Sequence, residues 1–136
     1  MSKIRGQGPN NSSTFDTGGI FNYTGSTLTL NHSTVSGNTA TTNAGGILNT
    51  GGSLTLDHST VSGNTAGQDG GGIFNDGGGT TALTSSTVVR NTANGGPVSG
   101  GGIFNASGTV TLDGSRVRNN IPDNCAPENT ISGCTN

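Results

Sequence analysis

The stretch Gly45-Gly46-Ile47-Leu48-Asn49-Thr50-Gly51-Gly52-Ser53-Leu54-Thr55-Leu56-Asp57-His58-Ser59-Thr60-Val61-Ser62-Gly63-Asn64 returns, with small changes, at residues 18–38, 71–91 and 101–120. Its Ile recurs at Ile20, Ile47, Ile73 and Ile103, spacings of 27, 26 and 30 residues. A period of that length marks a stacked solenoid, in which a repeat buries its apolar side chains only against a neighbouring repeat. Within one copy, Leu54-Thr55-Leu56 alternates apolar and polar as a strand does, and Thr60-Val61-Ser62 sets one Val between two hydroxyls. Gly-Gly-Ile-Leu-Asn supplies a third short strand, entered through paired glycines that let the chain turn tightly. The expected fold is all-β: a parallel β-helix of about four coils of 26–30 residues, with three short strands per coil. Residues 1–17 read as a partial first coil and connection, 18–120 as the repeats, and 121–136 as a C-terminal cap.

Composition alone points elsewhere. Gly and Pro account for 30 of 136 residues and Leu, Ile, Val and Phe for only 25, a level at which disorder competes. Placement decides the matter, because 20 of those 25 fall in five columns. These are Ile20/Ile47/Ile73/Ile103, Phe21/Leu48/Phe74/Phe104, Leu28/Leu54/Val110, Leu30/Leu56/Leu83/Leu112 and Ile4/Val35/Val61/Val88/Val117. The third copy puts polar Thr81 where its neighbours have inward Leu54 and Val110. Alternation turns the Phe21 column outward, whereas a bend at the following Asn turns it into the core; the sequence leaves both open, with the inward placement taken as the expectation. Length varies only in the bends, notably Thr92 to Gly100. Asn38, Asn64, Asn91 and Asn120 close each copy, and stacked amides, each a donor and an acceptor, form a structural ladder along the axis.

The Gly-Gly-Ile-Phe-Asn and Ser-Thr-Val-Ser-Gly-Asn-Thr-Ala segments resemble the repeats of right-handed parallel β-helix proteins, especially polymorphic outer-membrane-protein repeats. The resemblance implies a pectate-lyase-like solenoid in an extracellular or cell-surface setting, with any export signal outside this chain, and it carries over no catalytic residue. At the amino end, Ser2-Lys3-Ile4-Arg5-Gly6-Gln7 aligns with Ser33 to Asn38. The chain then starts in mid-coil, and its uncapped end offers a surface for end-to-end association. At the other end, Cys125 and Cys134 are expected to form a disulfide that tethers a Pro- and Asn-rich tail.

Five basic and seven acidic residues give a net charge of −2, which leaves no electrostatic footprint for nucleic acid. No apolar run is long enough to span a membrane. His32 and His58 share a column; because copies three and four carry Ser85 and Gly114 there, the pair reads as repeat duplication and no metal site is assigned. Asp57, Asp113, Arg116 and Arg118 come nearest to a catalytic set, but the carboxylates fall two coils apart, so no catalytic residue and no cofactor are assigned. The hydroxyl ranks Thr27/Thr29, Ser53/Thr55, Thr109/Thr111, Thr34/Ser36 and Thr60/Ser62 resemble the flat arrays of ice-binding solenoids. The expected function is a non-enzymatic structural or adhesive solenoid presenting a polar strand face and variable bends to a glycan or protein. The alternatives are a degenerate polysaccharide lyase or glycoside hydrolase, and an ice-binding solenoid.

Overall fold

A computed structural model describes residues 2–3 and 11–136. Across them the chain has strands, turns and bends and no helix. The strands assemble into four parallel sheets, one strand of each per coil. The Leu sheet comprises Ser2–Lys3, Thr27–Asn31, Ser53–Asp57, Thr80–Thr84 and Thr109–Asp113. The Val sheet comprises Thr34–Ser36, Thr60–Ser62, Thr87–Val89 and Arg116–Arg118. The Ile sheet comprises Ile20–Asn22, Ile47–Thr50, Ile73–Asp76, Ile103–Asn105 and Cys125–Ala126.

The fourth sheet corrects the expected three strands per coil. Ser12–Ser13, Thr39–Ala40, Thr65–Ala66 and Thr92–Ala93 pair in register as an Ala sheet between the Val and Ile sheets. Two residues are too few to display a period, which is why this strand reads as part of a bend in sequence. Thr92 and Ala93 accordingly belong to a strand, and the variable connection starts only at Asn94.

Register follows the apolar columns. Ile20 pairs with Ile47, Ile47 with Ile73 and Ile73 with Ile103. Val35, Val61, Val88 and Val117 stand in one file, as do Leu30, Leu56, Leu83 and Leu112. The resulting core runs along the axis, and its central members Ile47, Leu54, Leu56, Val61, Ile73, Leu83, Val88 and Ile103 have no solvent exposure. Thr81 is buried there as well; its hydroxyl donates to Asn75 Oδ1 at 2.8 Å and accepts from Asn49 Nδ2 at 3.1 Å.

The Phe column does not enter this core. Leu48 and Phe74 pack with Ala44 in a separate cluster, joined by Phe104, which stacks on Phe74 with ring centroids 5.2 Å apart. Alternation has turned these side chains out of the coil, and the bend preceding the Ile strand folds back over them. Glycine permits the closeness of that fold: a Cβ on Gly70 would sit 2.7 Å from Phe74 Cβ. The Gly-Gly pairs also owe their identity to close approach. At Gly45 a Cβ would lie 2.6 Å from the backbone of both Thr65 and Gly71, on the next coil.

Both ends differ from expectation in detail. Ser2 and Lys3 pair with Leu28 and Thr29, so they sit in the Leu sheet and not opposite Ser33 and Thr34. Ile4, the single apolar residue on which the alignment of residues 2–7 rested, lies outside the described residues. At the far end Ile121 bridges Thr92, and Cys125–Ala126 adds a strand against Ile103–Phe104. The Cys125–Cys134 disulfide forms, with Cα atoms 6.3 Å apart, and Ile131 and Cys134 pack against the core.

Candidate functional site: hydroxyl ranks on an amide-laddered frame

Three ladders of polar side chains run along the coil corners and hold the outer faces in place. In the first, Nδ2 of Asn38, Asn64 and Asn91 donates to Oδ1 of Asn64, Asn91 and Asn120 at 3.0, 2.9 and 3.0 Å. Each of these Oδ1 atoms also accepts the backbone N–H of the preceding rung. The ladder extends beyond its four expected members, to Asn11 below and Asn124 above. The second, not anticipated from sequence, links Asn22, Asn49, Asn75 and Asn105 at 2.8, 2.8 and 2.9 Å. Its signal was the Asn that ends every Gly-Gly-Ile-Phe-Asn copy. In the third, the hydroxyls of Ser59, Ser86 and Ser115 accept the backbone N–H of Ser33, Ser59 and Ser86.

On this frame the Leu sheet presents its polar side. Thr27, Ser53, Thr80 and Thr109 form one rank in unbroken backbone register, and Thr29, Thr55, Ala82 and Thr111 form a second beside it. Successive members stand about 4.8 Å apart along the axis. The outer rank is exposed at all four positions. The Val sheet carries the further ranks Thr34, Thr60, Thr87, Arg116 and Ser36, Ser62, Val89, Arg118. Hydroxyls give way there to guanidinium groups at the last coil, after Val89 has already ended the second rank of hydroxyls.

The carboxylates do not converge. Asp57 and Asp113 occupy one rank of the Leu sheet with Thr84 between them, a separation of roughly 10 Å. Arg116 and Arg118 project from a different sheet. Asp57 instead holds His58, Oδ1 to Nδ1 at 2.7 Å, and accepts from Asn31 Nδ2 at 2.8 Å. His32 and His58 stack face to face with ring centroids 5.0 Å apart. In the bend before the Ile strand, burial pushes the Asp69 carboxyl above its usual range.

A second exposed feature lies beside the first Ile strand; alternation in the sequence had already turned Phe21 outward, but no signal had joined Phe15 or Tyr23 to it. Phe15, Phe21 and Tyr23 are 77%, 55% and 61% exposed. Phe15 and Phe21 line an open cavity of about 350 Å³ with Ser13, Asp16, Thr17 and Leu48. No protein-family model, no curated protein and no solved structure matches this chain.

Proposed function

We propose that this chain is a non-catalytic solenoid segment that binds a glycan along the hydroxyl face of its Leu sheet. The observation that supports this reading is the pair of adjacent ranks, headed by Thr27 and Thr29, held in register over four successive strands. A rigid array of hydroxyls meets the hydroxyls of an extended sugar chain with little ordering cost on the protein side. Asp57 and Asp113, roughly 10 Å apart, stand well beyond the about 5–5.5 Å of a retaining carboxylate pair and at the outer limit of an inverting one, and the nearest cations, Arg116 and Arg118, belong to a different sheet. The Cys125–Cys134 disulfide and the resemblance to outer-membrane-protein repeats are compatible with an extracellular or cell-surface setting.

The test is a glycan array followed by a reducing-sugar assay on each bound polysaccharide. The expected result is binding without turnover, weakened at least tenfold by Thr29→Lys combined with Thr55→Lys, which puts two charged stems across the face. Binding that ignores this double substitution would contradict the assignment of the face, and release of reducing ends would replace the reading with that of a polysaccharide-processing enzyme. The same ranks favour a second reading, ice binding, against which Ala82 interrupts the inner rank. Thermal hysteresis in the absence of any glycan binding would establish it.

A further inference from the structure

The glycan reading makes no use of the turn that follows each Leu strand, where two successive coils carry His32 and His58. Both residues have a left-handed backbone, φ 46° and 47°, so their side chains leave the turn in the same direction. The rings lie parallel within 3°. Their tautomers follow from their partners. An ionised carboxylate only accepts, so the contact between His58 Nδ1 and Asp57 Oδ1 places a proton on Nδ1. Asn31 Nδ2 donates to the other carboxylate oxygen, which fixes the amide so that its Oδ1 faces His32 Nδ1 at 2.6 Å. His32 Nδ1 must then donate too. One carboxylate thus orders three side chains, His58, Asn31 and His32, and leaves the Nε2 lone pair of each neutral ring free of any protein hydrogen bond among the described residues.

We propose that His32 and His58 form a two-imidazole site for a divalent transition-metal ion of the imidazole-preferring kind, Zn²⁺ or Cu²⁺, bound through both Nε2 atoms and completed by water. Metal-bound histidines ordinarily donate their other ring N–H to a carboxylate or carbonyl oxygen, and that outer contact is already in place on both rings. Bonds of about 2.0–2.1 Å set two nitrogens about 3.3–3.4 Å apart on a tetrahedral ion, and up to about 4.2 Å apart where they oppose each other across a square-planar one. The rings, 5.0 Å apart at their centroids, reach these spans by tilting their outer edges together. Solvent exposure of both residues leaves room for the tilt. Ser85 and Gly114 occupy the column in later coils, with φ 48° and 58°, and end the site there.

The chain contains two histidines, so each Cε1–H resonance reports one ring. Titration of the tag-free chain with Zn²⁺, followed by calorimetry and NMR, is expected to show one ion per chain and both resonances shifting together. His32→Asn and His58→Asn, which keep a residue tolerant of left-handed backbone, are each expected to weaken binding at least tenfold. Asp57→Asn, which retains both rings, is expected to weaken it about tenfold or more. Two ions per chain with independent shifts, single variants that bind like the parent, or no saturation would each overturn the site. Should an Asn variant lose its far-UV dichroism, the stoichiometry and joint shift of the parent chain decide.

Discussion

At the scale of single residues, the buried amides carry more of this fold than their polarity suggests. Asn64 Oδ1 accepts from both the backbone N–H and the Nδ2 of Asn38, while its own Nδ2 reaches Asn91 Oδ1 at 2.9 Å and Val35 O at 3.1 Å. Truncation strands two donors on Asn38, its backbone N–H and its Nδ2, and each buried group left unpaired costs about 1–3 kcal/mol. Asn64→Ala is therefore expected to lower unfolding free energy by about 3 kcal/mol or more, as measured by denaturant titration. Asn94→Ala, exposed and holding one 3.3 Å contact to Ala66 O, is expected to cost less than about 1 kcal/mol. Equal losses at the two positions would contradict the ladder as a source of stability.

At the scale of the coil, two glycines separate steric from conformational demands. Gly45→Ala is expected to cost about 3 kcal/mol, because its Cβ meets backbone on the neighbouring coil that moves only if coils part. Gly63 has φ +63° and open space around it, so Gly63→Ala is expected to cost only about 1–2 kcal/mol of backbone strain. Thermal unfolding of both variants checks the ranking, and a larger loss at Gly63 would refute it. The same distinction shows how far the sequence could be read. Leu54-Thr55-Leu56 and Thr60-Val61-Ser62 were legible as strands because alternation survives even at three residues. Thr39–Ala40 was not, since two residues carry no period. Alternation also pointed Phe74 outward, but its cover comes from Gly70 on the bend before its own strand and from Ala44 on the matching bend one coil earlier, a tertiary fact. Of the candidate sites, the Thr27 and Thr29 ranks were legible as columns. The stacking of the histidines above the Asn31–Asp57 pair was not, because it depends on a left-handed turn that His, unlike Gly, does not advertise.

At the scale of the whole molecule, each coil contacts only its neighbours, so stability is passed along the axis one interface at a time. The last coil is closed by Ile131 and by Asn136, whose amide exchanges hydrogen bonds with both the N–H and C=O of Cys125. The disulfide restrains this closure. Replacing Cys125 and Cys134 with Ser is expected to lower stability by about 2.5–3 kcal/mol, through the entropy of a loop spanning nine positions. Amide exchange should then rise first in the final coil and leave Ile47 and Ile73 protected; uniform loss of protection would contradict a neighbour-only rod. The claim beneath all of this is that matching residues of successive coils stand in single file. Methyl NOEs in solution test it most directly. The account predicts Val35–Val61, Val61–Val88 and Val88–Val117 contacts and none between Val35 and Val88, two coils apart; a Val35–Val88 contact, or the absence of the three neighbour contacts, would contradict it.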